Sequence, residues 1–189
     1  MKKIILASQS PRRKDYMDLL GIDFEVKAAD IDEKIDLSLS LDNALIKLAK
    51  EKATAVLLNN PEAIVIGSDS IVYQDDEIFN KPKNSEDAFR MIKSYSNSNH
   101  SVKTSVCIIS SEKEVSFVSE CQVYFYKISD AEINDYLLSK EYKDKAGAYA
   151  IQGLMAKFIY KVEGDYNAVV GFPIAKVYKS LKEDFNILK

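Results

Sequence analysis

The stretch Ile4-Ile5-Leu6-Ala7-Ser8-Gln9-Ser10-Pro11-Arg12-Arg13 decides the fold class of this chain. Four apolar residues suited to a short buried strand run straight into Ser10, a good helix N-cap, and Pro11, whose fixed φ suits the first helical position. The helix continues through Tyr16, Met17, Leu19 and Leu20 and stops at Gly21, a C′ glycine. A strand feeding a helix after so short a loop is the opening of an α/β unit. It also gathers two hydroxyls, free backbone N–H groups and two arginines at one helix N-terminus, where the N–H groups and helix dipole favour negative charge. The guanidinium fork adds bidentate phosphate recognition. The plainer alternative is a capped helix with two solvated arginines.

Outward from that unit, the pattern predicts a strand near Phe24–Ala28, a polar loop over Ala29–Ser40 and a helix over Leu41–Leu58. That helix carries Leu41, Ala44, Leu45, Leu48, Ala49, Ala53, Val56 and Leu57 at helical spacing, with Ser40 or Asp42 as cap. Ala63–Gly67 is a continuous apolar run, as expected of a central strand buried on both faces. Ile71–Phe79 reads as a hairpin turning at Asp75-Asp76, and a helix follows from Asn84 or Ser85 to about Ser94. His100–Ser110 and Glu114–Tyr126 alternate as half-solvated strands. Ser129-Asp130-Ala131-Glu132 is a capping box opening another helix. A strand over Phe158–Glu163 and a helix over Pro173–Leu181 complete the chain. The expected fold is α/β with a mixed sheet, in one domain over residues 1–189.

The bulk composition sets limits. Hydrophobic residues make up 47% of the 189 and charged residues 29%, ordinary for a globular protein. The net charge of −3 gives no general basic field to hold nucleic acid, so an anionic ligand must be bound by locally focused positive charge. No run reaches the length of a membrane span, and the apolar run after Lys2 and Lys3 is too short for a secretion signal. Cys107 and Cys121 are too few and too far apart for a zinc framework; a reducing, cytoplasmic setting is the default expectation, and a disulfide across neighbouring strands is the alternative.

Several segments carry groups with chemistry. Asp69, in Val65-Ile66-Gly67-Ser68-Asp69-Ser70, follows a buried strand, where open α/β sheets place ligand groups. Its carboxylate can orient a divalent cation or take a proton from water; equally, it can cap the next turn. Lys81, fixed in an extended backbone by Pro82, is a phosphate contact or a solvated hairpin lysine. Lys52, late in the second helix, has the same ambiguity. Glu33 is a candidate metal or water-positioning group, because hard cations take oxygen ligands and need only one or two protein carboxylates. Asp30 and Asp32 read as solvated loop residues. Asp144-Lys145-Ala146-Gly147-Ala148-Tyr149-Ala150-Ile151-Gln152-Gly153 is rich in small residues that permit close approach of the backbone, and Gln152 both donates and accepts. It can read a nucleobase edge or sit in a close-packed turn. His100 is read as structural.

Together these segments resemble the Maf family of nucleoside triphosphate pyrophosphatases. The resemblance rests on Ala7 to Arg13, Gly67-Ser68-Asp69-Ser70, Lys81-Pro82, Asp144 to Gly153, Gly164-Asp165-Tyr166-Asn167 and Val170-Gly171-Phe172-Pro173, in the family's order across nearly the whole chain. It implies a long twisted mixed sheet flanked by helices, in two lobes around a cleft, shared with the inosine triphosphate pyrophosphatases. It implies cleavage between the α- and β-phosphates with a divalent cation, Mg²⁺ or Mn²⁺. It assigns the general base to Asp69, which can also ligate the metal. Ser8, Arg12, Arg13, Lys52 and Lys81 fall around the phosphates and Glu33 near the metal or attacking water. It also implies a homodimer, since family members often are.

Within the family, the Ile151-Gln152-Gly153 ending and Arg12 look like the branch acting on dTTP and UTP. The branch preferring 7-methyl-GTP carries glutamate at the Gln152 position. A carboxylate only accepts, whereas an amide can donate to a pyrimidine O4 or O2 and accept from its N3–H. Ser70 stands where that branch more often has threonine, keeping the hydroxyl against the substrate but losing a methyl, and Phe172 replaces leucine. The rival readings are the same chemistry on a purine substrate, and a non-catalytic nucleotide-binding regulator of cell division.

Overall fold

A computed structural model describes residues 2–36 and 38–188, so Leu37 of the expected polar loop lies outside the described residues. The strands are β1 (Ile4–Leu6), β2 (Glu25–Val26), β3 (Ile64–Gln74), β4 (Glu77–Phe79), β5 (Asn99–Ile109), β6 (Glu114–Phe125) and β7 (Ile159–Gly164). The α-helices are α1 (Pro11–Leu19), α2 (Leu41–Leu57), α3 (Ser85–Tyr95), α4 (Asp130–Leu138), α5 (Tyr166–Val170) and α6 (Ile174–Glu183), with 3-10 turns at Ala146–Ala148 and Leu154–Phe158. The sheet runs β2-β1-β3-β5-β6-β7, with β4 pairing β3 off this path. β1 is parallel to β2 and β3, while β3–β4 and β6–β7 are antiparallel, which makes the sheet mixed. Among the described residues no helix is long and apolar enough to cross a membrane.

The chain forms two compact units. Unit 1 holds residues 1–69, 104–119 and 171–189, and unit 2 holds 70–103 and 120–170. In unit 1 the strands are covered on both faces. Ile4, Leu6, Ile64, Ile66, Val106 and Ile108 pack with Met17 of α1 and with Phe172, Val177 and Leu181. The alternate residues Ile5, Ala7, Ala63, Val65 and Cys107 pack against Ala49, Ala53 and Val56 of α2. Period-two alternation with both faces buried is why Ala63–Ile66 shows no polar residue.

Gly67 fixes how closely α2 approaches. A Cβ there would lie 2.2 Å from the Ala49 carbonyl oxygen and 2.9 Å from the Ala53 nitrogen, so only glycine admits the helix backbone at this spacing. The Ser105 hydroxyl donates to the Leu45 carbonyl at 2.8 Å and ties the same helix to β5.

In unit 2 the core is aromatic. Tyr95 packs against Phe79, His100, Phe125 and Tyr149, with ring centroids 4.5–6.0 Å apart. His100 is buried and neither ring nitrogen has a hydrogen-bond partner; burial lowers its pKa to about 3, so it stays neutral. Its structural reading holds. Cys107 and Cys121 are free and buried, and burial raises both thiol pKa values.

Most expected elements form. The β3–β4 hairpin turns at Asp75 and Asp76, both with positive φ (47° and 64°), as hairpin turns of the primed types require. The Ser129–Glu132 capping box is present in both directions. Asn84 caps α3 by accepting from the Asp87 N–H at 2.8 Å. Four expectations need correction. β5 has no solvated face: from His100 to Ile109 every residue is buried or half-buried. β3 does not end before Asp69 but runs unbroken to Gln74, because β1 pairs its first residues and β4 its last, which overrides the turn-like composition of Gly67–Ser70. Ser10 occupies the N-cap position of α1, but its side chain makes no cap hydrogen bond. Residues 166–170 form a short helix that the sequence pattern did not include, and the Asp165 carboxylate accepts from the Asn167 N–H at 3.0 Å as it begins.

Candidate active site

The expected site residues fall in both units. Unit 1 holds Ser8, Arg12, Arg13, Glu33, Lys52 and Asp69; unit 2 holds Ser70, Lys81 and Gln152. In unit 1 the centre is Lys52. It lies in the apolar stripe of α2 between Ala49 and Ala53, and its side chain is only 7% exposed. An ammonium in that position is tolerated only if carboxylates compensate its lost hydration. Two do: Nζ is 2.6 Å from Asp69 Oδ1 and 2.9 Å from Glu33 Oε1. Asp69 is itself mostly buried, whereas Glu33 is more than half exposed. The bare side chain at Gly67, two residues before Asp69, lets α2 close in and bring this lysine to the strand.

The loop after β1 is held from behind by Arg13. Its Nε donates to the Gly171 carbonyl at 2.9 Å, and Nη1 donates to the Ser68 carbonyl at 2.8 Å and to Ser8 Oγ at 3.2 Å. Burial lowers the guanidinium pKa, and the Asp69 charge works in the opposite direction. Ser8 Oγ also accepts from the Ser10 N–H at 3.2 Å, closing a tight turn that leads into α1. Arg13 therefore ties the β1 loop, the strand before Asp69 and the turn before α6 into one frame. Arg12, one residue earlier, is exposed on the first turn of α1.

In unit 2, Lys81 is exposed in the loop after β4, and Gln152 is exposed in the turn closed by the Gly153 N–H donating to the Ala150 carbonyl. The residues before Gln152 are pinned by aromatic hydroxyls. Tyr95 donates to the Gly147 carbonyl at 3.1 Å, Tyr136 donates to the Ala148 carbonyl at 3.0 Å, and the Gly147 N–H donates to the Asn80 carbonyl at 3.2 Å. Burial raises the pKa of both hydroxyls well above the ordinary tyrosine range, so they remain donors.

Among the described residues no three His, Cys, Asp or Glu side chains gather as a preformed metal cage. Two carboxylates sharing one lysine nonetheless fit a cation such as Mg²⁺, which takes one or two protein carboxylates and completes its shell with water and substrate phosphates. Sequence reasoning missed Ser68 and Gly171, whose carbonyls anchor Arg13. Backbone acceptors leave no trace in side-chain identity, although Gly171 falls within a stretch that carries the family resemblance.

The chain matches the family model described as Maf-like protein over residues 3–184. It belongs to that family. It is 44% identical over 183 residues to a dTTP/UTP pyrophosphatase of Bacillus cereus, covering 97% of this chain and 96% of the relative. It is 42% identical over 187 residues to a protein of the same name from Bacillus anthracis, covering 99% and 97%. Among solved structures, the Staphylococcus aureus Ham1 protein aligns with TM-score 0.48 and 14% identity, over 66% of this Maf-like chain and 72% of that one.

Proposed function

We propose that this chain is a nucleoside triphosphate pyrophosphatase that hydrolyses dTTP and UTP to the monophosphate and pyrophosphate. The observation that carries the chemistry is Lys52, buried in the apolar stripe of α2 and holding the carboxylates of Asp69 and Glu33 together. A fold has no structural reason to bury that ammonium against two carboxylates, since apolar residues of similar volume are often as stable. The substrate pair is that of the curated relatives, to which identity extends across nearly the full chain.

In this reading water attacks the α-phosphorus. Asp69 takes the water proton while Lys52 keeps Oδ1 oriented, leaving Oδ2 toward the nucleophile. The new P–O bond forms to the water oxygen, the α-phosphorus bond to the bridging oxygen breaks, and its electron pair leaves with pyrophosphate. Glu33 and Asp69 would hold a divalent cation, Mg²⁺ or Mn²⁺, which when bound neutralises charge developing on the phosphates. Ser8, Arg12, Lys52 and Lys81 bind phosphate oxygens. Arg13 holds the frame and shares that role through its charge. Ser70 lies against the substrate, and Gln152 reads the pyrimidine edge. The enzyme acts in the cytoplasm, as its two free cysteines suit a reducing compartment. It acts without nucleic acid, in keeping with a net charge of −3, and as a homodimer, as the family resemblance implies.

The test is pyrophosphate release from a panel of nucleoside triphosphates with Mg²⁺ or Mn²⁺. Release is expected from dTTP and UTP, and Asp69→Asn should lower kcat by roughly 100- to 10,000-fold. Gln152→Glu should shift preference from pyrimidines toward guanine nucleotides. Release from purines alone overturns the substrate, and no release from any nucleotide overturns the enzyme.

A further inference from the structure

Gln152 lies at the third position of a β-turn whose end is fixed by a residue that sequence reading passed over. The turn runs from Ala150 to Gly153, and the next residue, Leu154, begins a 3-10 turn. Its N–H has no partner within that turn, as at any helical start. Both carboxylate oxygens of Glu141 accept from it, at 3.2 Å and 3.1 Å. Glu141 follows α4 and is held in turn. Its N–H donates to Ser139 Oγ at 3.1 Å, and its carbonyl accepts from Lys145 Nζ. The carboxylate fills the space that a side chain at position 153 would need: a Cβ on Gly153 would lie 2.1 Å from Glu141 Oε1 and 2.5 Å from its carboxyl carbon. Upstream, Tyr95 and Tyr136 hold the carbonyls of Gly147 and Ala148. Gln152 thus stands exposed in a short span clamped on both sides, and Glu141 is the downstream clamp.

We propose that Glu141 is a positioning residue for base selection: its carboxylate sets the orientation of the Gln152 amide through the Leu154 N–H and the bare face of Gly153. This rests on the reading that Gln152 contacts the base. A charge-assisted bond to a backbone N–H is among the stronger single hydrogen bonds, and a turn freed of it samples orientations in which the amide misses its partners. Glu141 touches no phosphate group in this account, so its loss acts on recognition and leaves the chemical step alone.

The test compares Glu141→Ala, Glu141→Gln, Gly153→Ala, the double variant Glu141→Ala/Gly153→Ala, and Gln152→Ala, by kcat and KM for UTP and for GTP. Glu141→Ala is expected to lower the UTP-to-GTP ratio of kcat/KM by roughly tenfold, the size expected for one charge-assisted hydrogen bond. The loss should appear in KM, with kcat within about twofold. Glu141→Gln recovers part of the ratio, because its carbonyl oxygen can still accept from Leu154. A Cβ at Gly153 displaces the carboxylate, so Gly153→Ala should match Glu141→Ala and the double variant should be no worse than either. Gln152→Ala separates the two readings. If it collapses the ratio and both Glu141 variants leave the ratio intact, Glu141 is not the clamp and Gln152 remains the reader. If Gln152→Ala leaves the ratio unchanged, Gln152 does not read the base and the inference falls with it. Equal losses of kcat on both nucleotides in the Glu141 variants would make Glu141 merely structural and overturn the proposal.

Discussion

The Lys52–Arg13 region of unit 1 and the aromatic core of unit 2 bury polar groups in opposite ways. In unit 1 the buried charge is matched: Lys52 of α2 meets Asp69 of β3 and Glu33 of the loop between β2 and α2, and Arg13 donates to two carbonyls and a hydroxyl. In unit 2 the core leaves polar atoms unmatched: both nitrogens of His100 and the hydroxyl of Tyr149 lie buried without a hydrogen bond, packed among rings. The exposed residues of interest there, Lys81 and Gln152, stand on turns. A network with satisfied charges on a strand and a helix is stiff and suits groups that must meet a reacting atom. A hydrophobic core with turns pinned to it tolerates variation at its rim and suits recognition. On this contrast, changes in unit 1 should register in rate, and changes in unit 2, Lys81 apart, in selectivity or in stability alone.

The hardest blow to unit 1 is Lys52→Met. It keeps the volume but leaves Asp69 without its counter-charge, and kcat should fall roughly 100- to 1,000-fold in the pyrophosphate-release assay. Stability should fall by less than the ~3–5 kcal/mol seen when one partner of a fully buried pair is removed, because Glu33 is more than half exposed. Full activity in this variant would break the contrast outright. Gly67→Ala comes next. Its Cβ would press on the α2 backbone, which cannot swing aside as a side chain can. We expect a loss of about 1–3 kcal/mol in denaturant melts, with a fall in kcat as the Lys52–Asp69 geometry opens. A stability loss with unchanged kcat would show that the ion pair does not depend on this close approach.

Near neutral pH the smallest effect belongs to unit 2. His100 is neutral when folded, with its pKa lowered to about 3, and ordinary when unfolded, near 6.5. Protonation therefore favours the unfolded chain. Stability should fall as pH drops below about 6.5 toward 3, by ~1.4 kcal/mol per pH unit from this group. His100→Phe should flatten that part of the pH profile of Tm while leaving kcat near neutral pH unchanged. An unaltered profile would mean that the ring is hydrated when the protein is folded.

Local signals carried much of this architecture into the sequence. The apolar run before Gly67, the Asp75-Asp76 turn and the Ser129–Glu132 box each need only a few neighbouring residues to be read, and each forms as expected. Asp69, Lys52 and Glu33 were legible as chemistry-bearing residue types, yet nothing in their spacing says that one lysine joins the two carboxylates. That fact depends on how closely α2 seats on β3, which Gly67 controls from a distance in sequence. The continuation of β3 through Asp69 was hidden for a similar reason: Gly-Ser-Asp-Ser favours a turn by composition, and pairing at both ends of the strand overrides it. Glu141 was invisible because a glutamate after a helix is ordinary, and its partner is a backbone N–H thirteen residues later.

Lys52 also has a meaning for anyone redesigning this protein. A procedure that optimises the core by hydropathy would see one polar residue in the apolar stripe of α2 and replace it, together with Asp69, by a well-packed aliphatic pair. Such a product could melt at a higher temperature than the parent. It would also be inert, since the site it repaired is the one proposed to move the proton. Selection for thermal resistance and selection for turnover pull in opposite directions at this one helix position, so its identity reports which of the two has governed a lineage.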